Sequence, residues 1–182
     1  MSPGGHLVTT AVACAVAAAH QQWELAAGLA VGGFWIDVDH AVDYVLFEGR
    51  RDLRPGAFLR YYSEGHMRRT VLVLHSWELF AVLAALAWSS GASWLVGYIG
   101  GGLMHLALDL IFNGRRLTPR SIVLFYSFAY RAAHRFDASR LLGEALPRSA
   151  AAGFWRIFFD TAEVKATVLD SAPGHASPRR RG

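Results

Sequence analysis

Residues 94–112 read WLVGYIGGGLMHLALDLIF. The run matches the roughly 20 apolar residues a helix needs to cross a bilayer, yet it holds His105 and Asp109. Ionisable groups are costly in hydrocarbon and normally face a bundle interior when they occur there. Spaced i, i+4, these two share one helix face. The small residues of GYIGGG, 97–102, offer a face for close contact with a neighbouring helix.

Working outward, 71–88 (VLVLHSWELFAVLAALAW) reads as another span and carries His75 and Glu78 at i, i+3. The polar turn SSGAS, 89–93, joins the two runs. Two shorter runs precede them, Leu7–Ala19 and Leu25–Ile36, linked by HQQWE at 20–24. Extended by their flanks to 5–22 and 23–40, these also approach spanning length. The expectation is an all-α polytopic helical membrane bundle of about four apolar helices, with C-terminal amphipathic or accessory helices. Residues 1–113 form the membrane metal-site core and 114–170 an accessory helical segment, with helices over 121–136 and 150–169. Residues 171–182, ending RRRG, form a disordered basic tail. A soluble all-α domain with buried helices is the competing architecture.

Composition fits this reading. Charged residues are 18% and hydrophobic residues 53%, with mean hydropathy +0.26, which excludes a disordered chain or a solvated coiled coil. The single cysteine, Cys14, excludes a disulfide framework and a cysteine zinc site. The first residues, MSPGGH, lack Lys and Arg, which argues against an export signal. Lys165 is the only lysine; every other basic residue is Arg. Two helical hairpins place both termini and the 48–69 loop on one side, with Arg50, Arg51, Arg54, Arg60, Arg68 and Arg69. Arg115, Arg116 and Arg120 fall there too, whereas the turns at 20–24 and 89–93 have no basic residue but His20. Under the positive-inside rule the Arg-rich side is cytoplasmic. No nucleic-acid recognition module is evident.

The same topology brings polar residues to one level. His6 opens the first helix, Asp37, Asp39 and His40 close the second, and His75, His105 and Asp109 lie toward the same side. Imidazoles and carboxylates together suit zinc, manganese or iron. Two neighbouring divalent ions can hold both oxygens of a phosphoryl displacement. Each histidine alone is more simply a hydrogen-bonded core residue, and Asp109 alone a cap or a partner of Arg115 or Arg116. Glu78 and Asp43 read as partners that orient ligating histidines, or as ordinary polar contacts.

An early His, GFWIDVDH before a loop, LHS opening the next helix and GGLMHLALD in the last span resemble the bacterial membrane-bound metal-dependent hydrolases. These LexA-regulated inner-membrane hydrolases are distantly similar to zinc-dependent phospholipase C. The resemblance covers residues 5–113. It implies metal ligation by His6, Asp37, Asp39, His75, His105 and Asp109, with His40 as ligand or as a group orienting one. Two departures are visible: Trp35-Ile36 stands where the family has a proline. The stretch before His75 also lacks an upstream histidine, for which His66 or Glu78 is the available substitute.

The expected function is a membrane-embedded hydrolase of the bacterial inner membrane, multi-pass, with its site toward the cytoplasm. It holds one to three divalent ions, zinc or manganese, and cleaves a phosphoester, lipid-linked by preference, with a bridging hydroxide as nucleophile. Asp39, His40 and Glu78 are the candidate catalytic residues, and Arg68 and Arg69 the candidates for binding an anionic substrate. The alternatives are a metal-binding permease or sensor, which needs a polar path through the bundle, and a membrane scaffold without catalysis.

Overall fold

A computed structural model describes residues 1–113, 123–143 and 153–159. Among these residues the chain is all-helical, with no strand beyond a single bridge between Arg69 and Asp137. Helix α1 spans Pro3–Ala19; Ser2 caps it, its Oγ accepting from Gly5 N at 3.2 Å. After the turn at 20–22 comes α2, Trp23–Gly33. A 3₁₀ turn (Trp35–Asp37), a short α3 (Val38–Val42) and a π turn (Asp43–Phe47) continue in the same direction. Helix α4 spans Pro55–Ser63, within the expected 48–69 loop. Helix α5, Trp77–Ser90, ends at Gly91, whose φ of 66° supplies the left-handed cap that a side chain resists. Helix α6, Ser93–Asn113, follows directly. Residues 123–125 are also helical, and three short helices follow: α7 (Phe128–Ala133), α8 (Ala138–Leu142) and α9 (Phe154–Phe159).

Two helical segments, Trp23–Phe47 and Ser93–Phe112, are long and apolar enough to cross a membrane. Helices α1 and α5, at 17 and 14 residues, are shorter, so four full spans are not seen. The expected third span loses its first turns because residues 71–76 are not helical. Val71 N and Leu72 N donate to Asp43 Oδ2 (2.7 and 3.3 Å), and Leu74 N and His75 N donate to Asp39 Oδ2 (2.6 and 3.3 Å). Those side chains take the amides a helix would otherwise use. The expected helix over 121–136 is likewise broken: Tyr126 sits in a turn, its carbonyl accepting from Trp77 N, and Ser127 starts α7 anew. Of the helix expected over 150–169, Phe154–Phe159 is described. Arg115, Arg116, Arg120 and the basic tail lie outside the described residues.

Glycines bring α2 and α6 into backbone contact. A Cβ on Gly28 would lie 1.9 Å from Trp94 O, and one on Gly32 2.0 Å from Tyr98 O. From the other side, a Cβ on Gly97 or Gly101 would lie 2.2 or 2.6 Å from the carbonyls of Leu25 and Leu29. Contacts advance in step along both helices, so α2 and α6 run parallel. Their C-terminal ends therefore meet at the end where α1 begins. Ile36, Phe80, Leu106 and Tyr126 form the buried cluster beneath that end.

Candidate metal centre

The break after α2 does chemical work at this end. Asp37 N donates to Phe34 O rather than to the carbonyl four residues back. The Gly33 carbonyl is thereby free to accept from His105 Nδ1 at 2.9 Å. A carbonyl can only accept, so Nδ1 carries a proton, which leaves Nε2 as the nitrogen able to offer a lone pair to a cation. That Nε2 is fully buried and has no hydrogen-bond partner. It lies 3.3 Å from Asp37 Oδ1 and 3.5 Å from Asp109 Oδ2.

His75 reaches the same point from the 71–76 segment. Its Nε2, buried and without a hydrogen bond, lies 3.5 Å from Asp37 Oδ1. Its Nδ1 lies 3.4 Å from Asp39 Oδ2. A carboxylate behind an imidazole that faces a metal position is a common way to orient such a ligand. On the far side of His105, His6 stacks ring on ring, centroids 3.7 Å apart, and its Nε2 lies 3.0 Å from Asp109 Oδ1. The Met1 amine is also 2.8 Å from that oxygen.

Two groups of donors can each hold a metal ion: Asp37, His75 and His105, and His6, His105 and Asp109. A tetrahedral zinc with bonds of about 2.0–2.1 Å sets its donors roughly 3.3–3.4 Å apart. The spacings of 3.3–3.5 Å around Asp37 and His105 fit that edge better than they fit hydrogen bonds. The groups share His105, and one lone pair serves one ion. Two ions here would have to be joined through carboxylate oxygens. The imidazoles of His6, His75 and His105 are almost wholly buried, whereas Asp37 and His40 are about 30% exposed and form the mouth.

The candidate residues therefore separate. His6, Asp37, His75, His105 and Asp109 come together. Asp39 belongs to neither group, and its Oδ2 is engaged by the amides of Leu74 and His75 and by the His75 ring. His40 flanks the mouth, its Nε2 3.7 Å from Asp37 Oδ1 and its carbonyl accepting from Tyr62 OH at 2.7 Å.

Glu78 is not in either group. It accepts from Ser127 Oγ, Phe128 N and Ala129 N at 2.6, 2.8 and 3.2 Å, capping α7. It shared a face with His75 only on the premise that 71–76 is helical. Arg68 and Arg69 are exposed; their backbone amides share Glu48 Oε1 at 2.6 Å each, and neither forms an ion pair among the described residues.

Sequence reasoning missed Tyr126, whose hydroxyl points to Asp109 Oδ2 at 3.5 Å. Burial, with the Asp109 charge adding to it, pushes this phenol well above its usual range, so it stays a donor. The only local signal for it was an aromatic residue in a mixed segment. No protein-family model, no curated protein and no solved structure matches the chain, so none of these comparisons assigns a family.

Proposed function

We propose that the chain is a membrane-embedded, metal-dependent hydrolase acting on a phosphoester, with its centre at the cytoplasmic face of a bacterial inner membrane. The observation that carries this reading is the pair of buried Nε2 atoms of His75 and His105, neither with a hydrogen bond, both facing the partly exposed Asp37 carboxylate. Buried polar atoms are nearly always satisfied, and two lone pairs converging on a carboxylate match the demands of a divalent cation. Asp37, His75, His105 and Asp109 would hold zinc or manganese, with His6 beside Asp109. Such an ion would supply a Lewis acid and bring the pKa of a bound water down to about 7. Asp37 and His40 leave the centre open to solvent at the mouth, where a substrate enters. Tyr126 donates toward the Asp109 side, and Asp39 keeps the His75 ring in one orientation.

Membrane residence is supported by the surface. Only 28% and 44% of the two spanning windows are buried within the chain. Val8, Val12 and Val16 on α1, and Val82 and Leu86 on α5, are about half exposed. Trp23, Trp88 and Trp94 are exposed at one end, and Trp35 and Trp155 at the other, as in the aromatic belts of membrane proteins. A phosphoester is the preferred substrate because the ordered motifs resemble the membrane-bound metal-dependent hydrolases. A lipid-linked one suits a mouth at the bilayer surface.

The test is zinc content of detergent-purified protein, followed by release of phosphate or phosphoalcohol from a panel of soluble and lipid phosphoesters. The expected result is bound zinc, with hydrolysis that needs it and disappears in His105→Ala. Zinc-loaded protein inert toward the whole panel overturns the hydrolase reading, and a protein that takes up no zinc overturns the centre.

A further inference from the structure

Arg131 lies in the 123–143 segment, outside the stretch that carries the metal donors, and its side chain is fully buried. It forms no ion pair among the described residues. Instead its guanidinium donates to four backbone carbonyls: Nε to Val71 O (3.1 Å), Nη2 to Leu72 O (2.7 Å), and Nη1 to His75 O (3.1 Å) and Phe125 O (2.7 Å). Three of the four belong to the 71–76 segment. The amides of that same segment are held from the opposite side by Asp39 and Asp43. Its peptide groups thus lie between a cation at their oxygens and two anions at their nitrogens.

The grip has something to resist. Leu72 has φ 44°, in the left-handed region that a side chain with a Cβ resists. The apolar pattern of 71–88 also favours running α5 back through His75. Strained backbone persists only where its surroundings over-determine it. Released from Arg131, the segment has two routes away from its present path, and each carries the His75 imidazole off Asp37.

We propose that Arg131 is a positioning residue for the metal centre: it holds 71–75 out of helix so that His75 Nε2 meets Asp37 and His105. The inference rests on the metal reading of that cluster. Only a guanidinium supplies a planar fan of donors to four carbonyls; the three donors of a lysine cannot reproduce it.

The experiment measures zinc affinity by competition with chromophoric chelators of graded strength, using the full chain in detergent. The proteins are wild type, Arg131→Lys, Arg131→Gln, His75→Ala and the Arg131→Lys/His75→Ala double variant. Amide exchange of the metal-free proteins is followed in parallel. Arg131→Lys and Arg131→Gln should each lower affinity by about 10–100-fold. They should speed exchange at 71–76 selectively, leaving α2 and α6 protected. In the His75→Ala background, Arg131→Lys should cost no further affinity, because the residue through which it acts is gone. An equal loss in both backgrounds, or unchanged exchange at 71–76, overturns the proposal while leaving the centre intact. Wild-type protein that binds no zinc overturns the centre, and the positioning role with it.

Discussion

The end of the bundle where α1 begins and α6 finishes buries three imidazoles and the carboxylates of Asp39, Asp43 and Asp109. At the opposite end, His20, Gln21, Gln22 and Glu24 are all exposed, and Ser89 and Ser90 are exposed beside them. The helices joining the two ends are the same, so the difference lies in how each end treats its backbone. The far end closes with tight caps: a short turn after α1 and Gly91 after α5. The near end is left irregular, with a 3₁₀ turn, a π turn and a non-helical 71–76. Irregular backbone frees carbonyls and amides, and the buried acids, His105 and Arg131 take them up. That lopsidedness favours a chemical centre at one face over a polar path through the bundle.

The comparison can be broken most directly at His105, which both donor groups share. His105→Ala should reduce zinc affinity by more than about 100-fold, exceeding the usual effect of losing a residue behind a ligand; chelator competition measures it. Affinity within threefold of wild type would mean the near end holds no centre. Asp39→Asn keeps an acceptor for Leu74 N but removes the carboxylate from the His75 ring. Affinity should drop about 10–100-fold, with the zinc stoichiometry unchanged.

Glu78→Gln removes a charge from the start of α7, away from the donors. It should cost about 1 kcal/mol of stability in denaturant titrations and leave zinc affinity alone. A large affinity loss there would return Glu78 to the centre. The smallest effect belongs to Glu24→Gln at the far end, where zinc affinity should stay within a factor of two. Zinc flux into proteoliposomes that falls in this variant would reveal a path through the bundle and erase the contrast between ends.

Much of the near end was legible because helical spacing carries it. His105 and Asp109 sit i, i+4 in an apolar run, and the hairpin logic puts His6, Asp37 and His75 at the same level. What escaped was whatever depends on leaving the helix. The run VLVLHS looks like the first turns of α5, and nothing local says that acids 28 to 36 residues earlier claim its amides. That is why Asp39 holds the amides of Leu74 and His75, and why Glu78, paired with His75 by helical spacing, caps α7 instead. Arg131 and Tyr126 come from a segment that contacts the centre only through tertiary packing. An arginine amid SFAYRAAHRF gives no sign of being buried. The third expected span is shorter than its apolar run because run length in sequence counts residues 71–76, which the chain uses otherwise.

The glycine seam between α2 and α6 has a dimensional consequence. Gly32 lies five residues before Asp37, and Gly101 lies four before His105. The seam is therefore the gauge that fixes the gap across which those two donors face each other. Gauges tolerate no shim: even the methyl group of an alanine at Gly32 would meet Tyr98 O at 2.0 Å. Relieving that contact would push the helices apart one turn from where the two donors stand. The separation of these two donors is thus set by residues that touch neither of them.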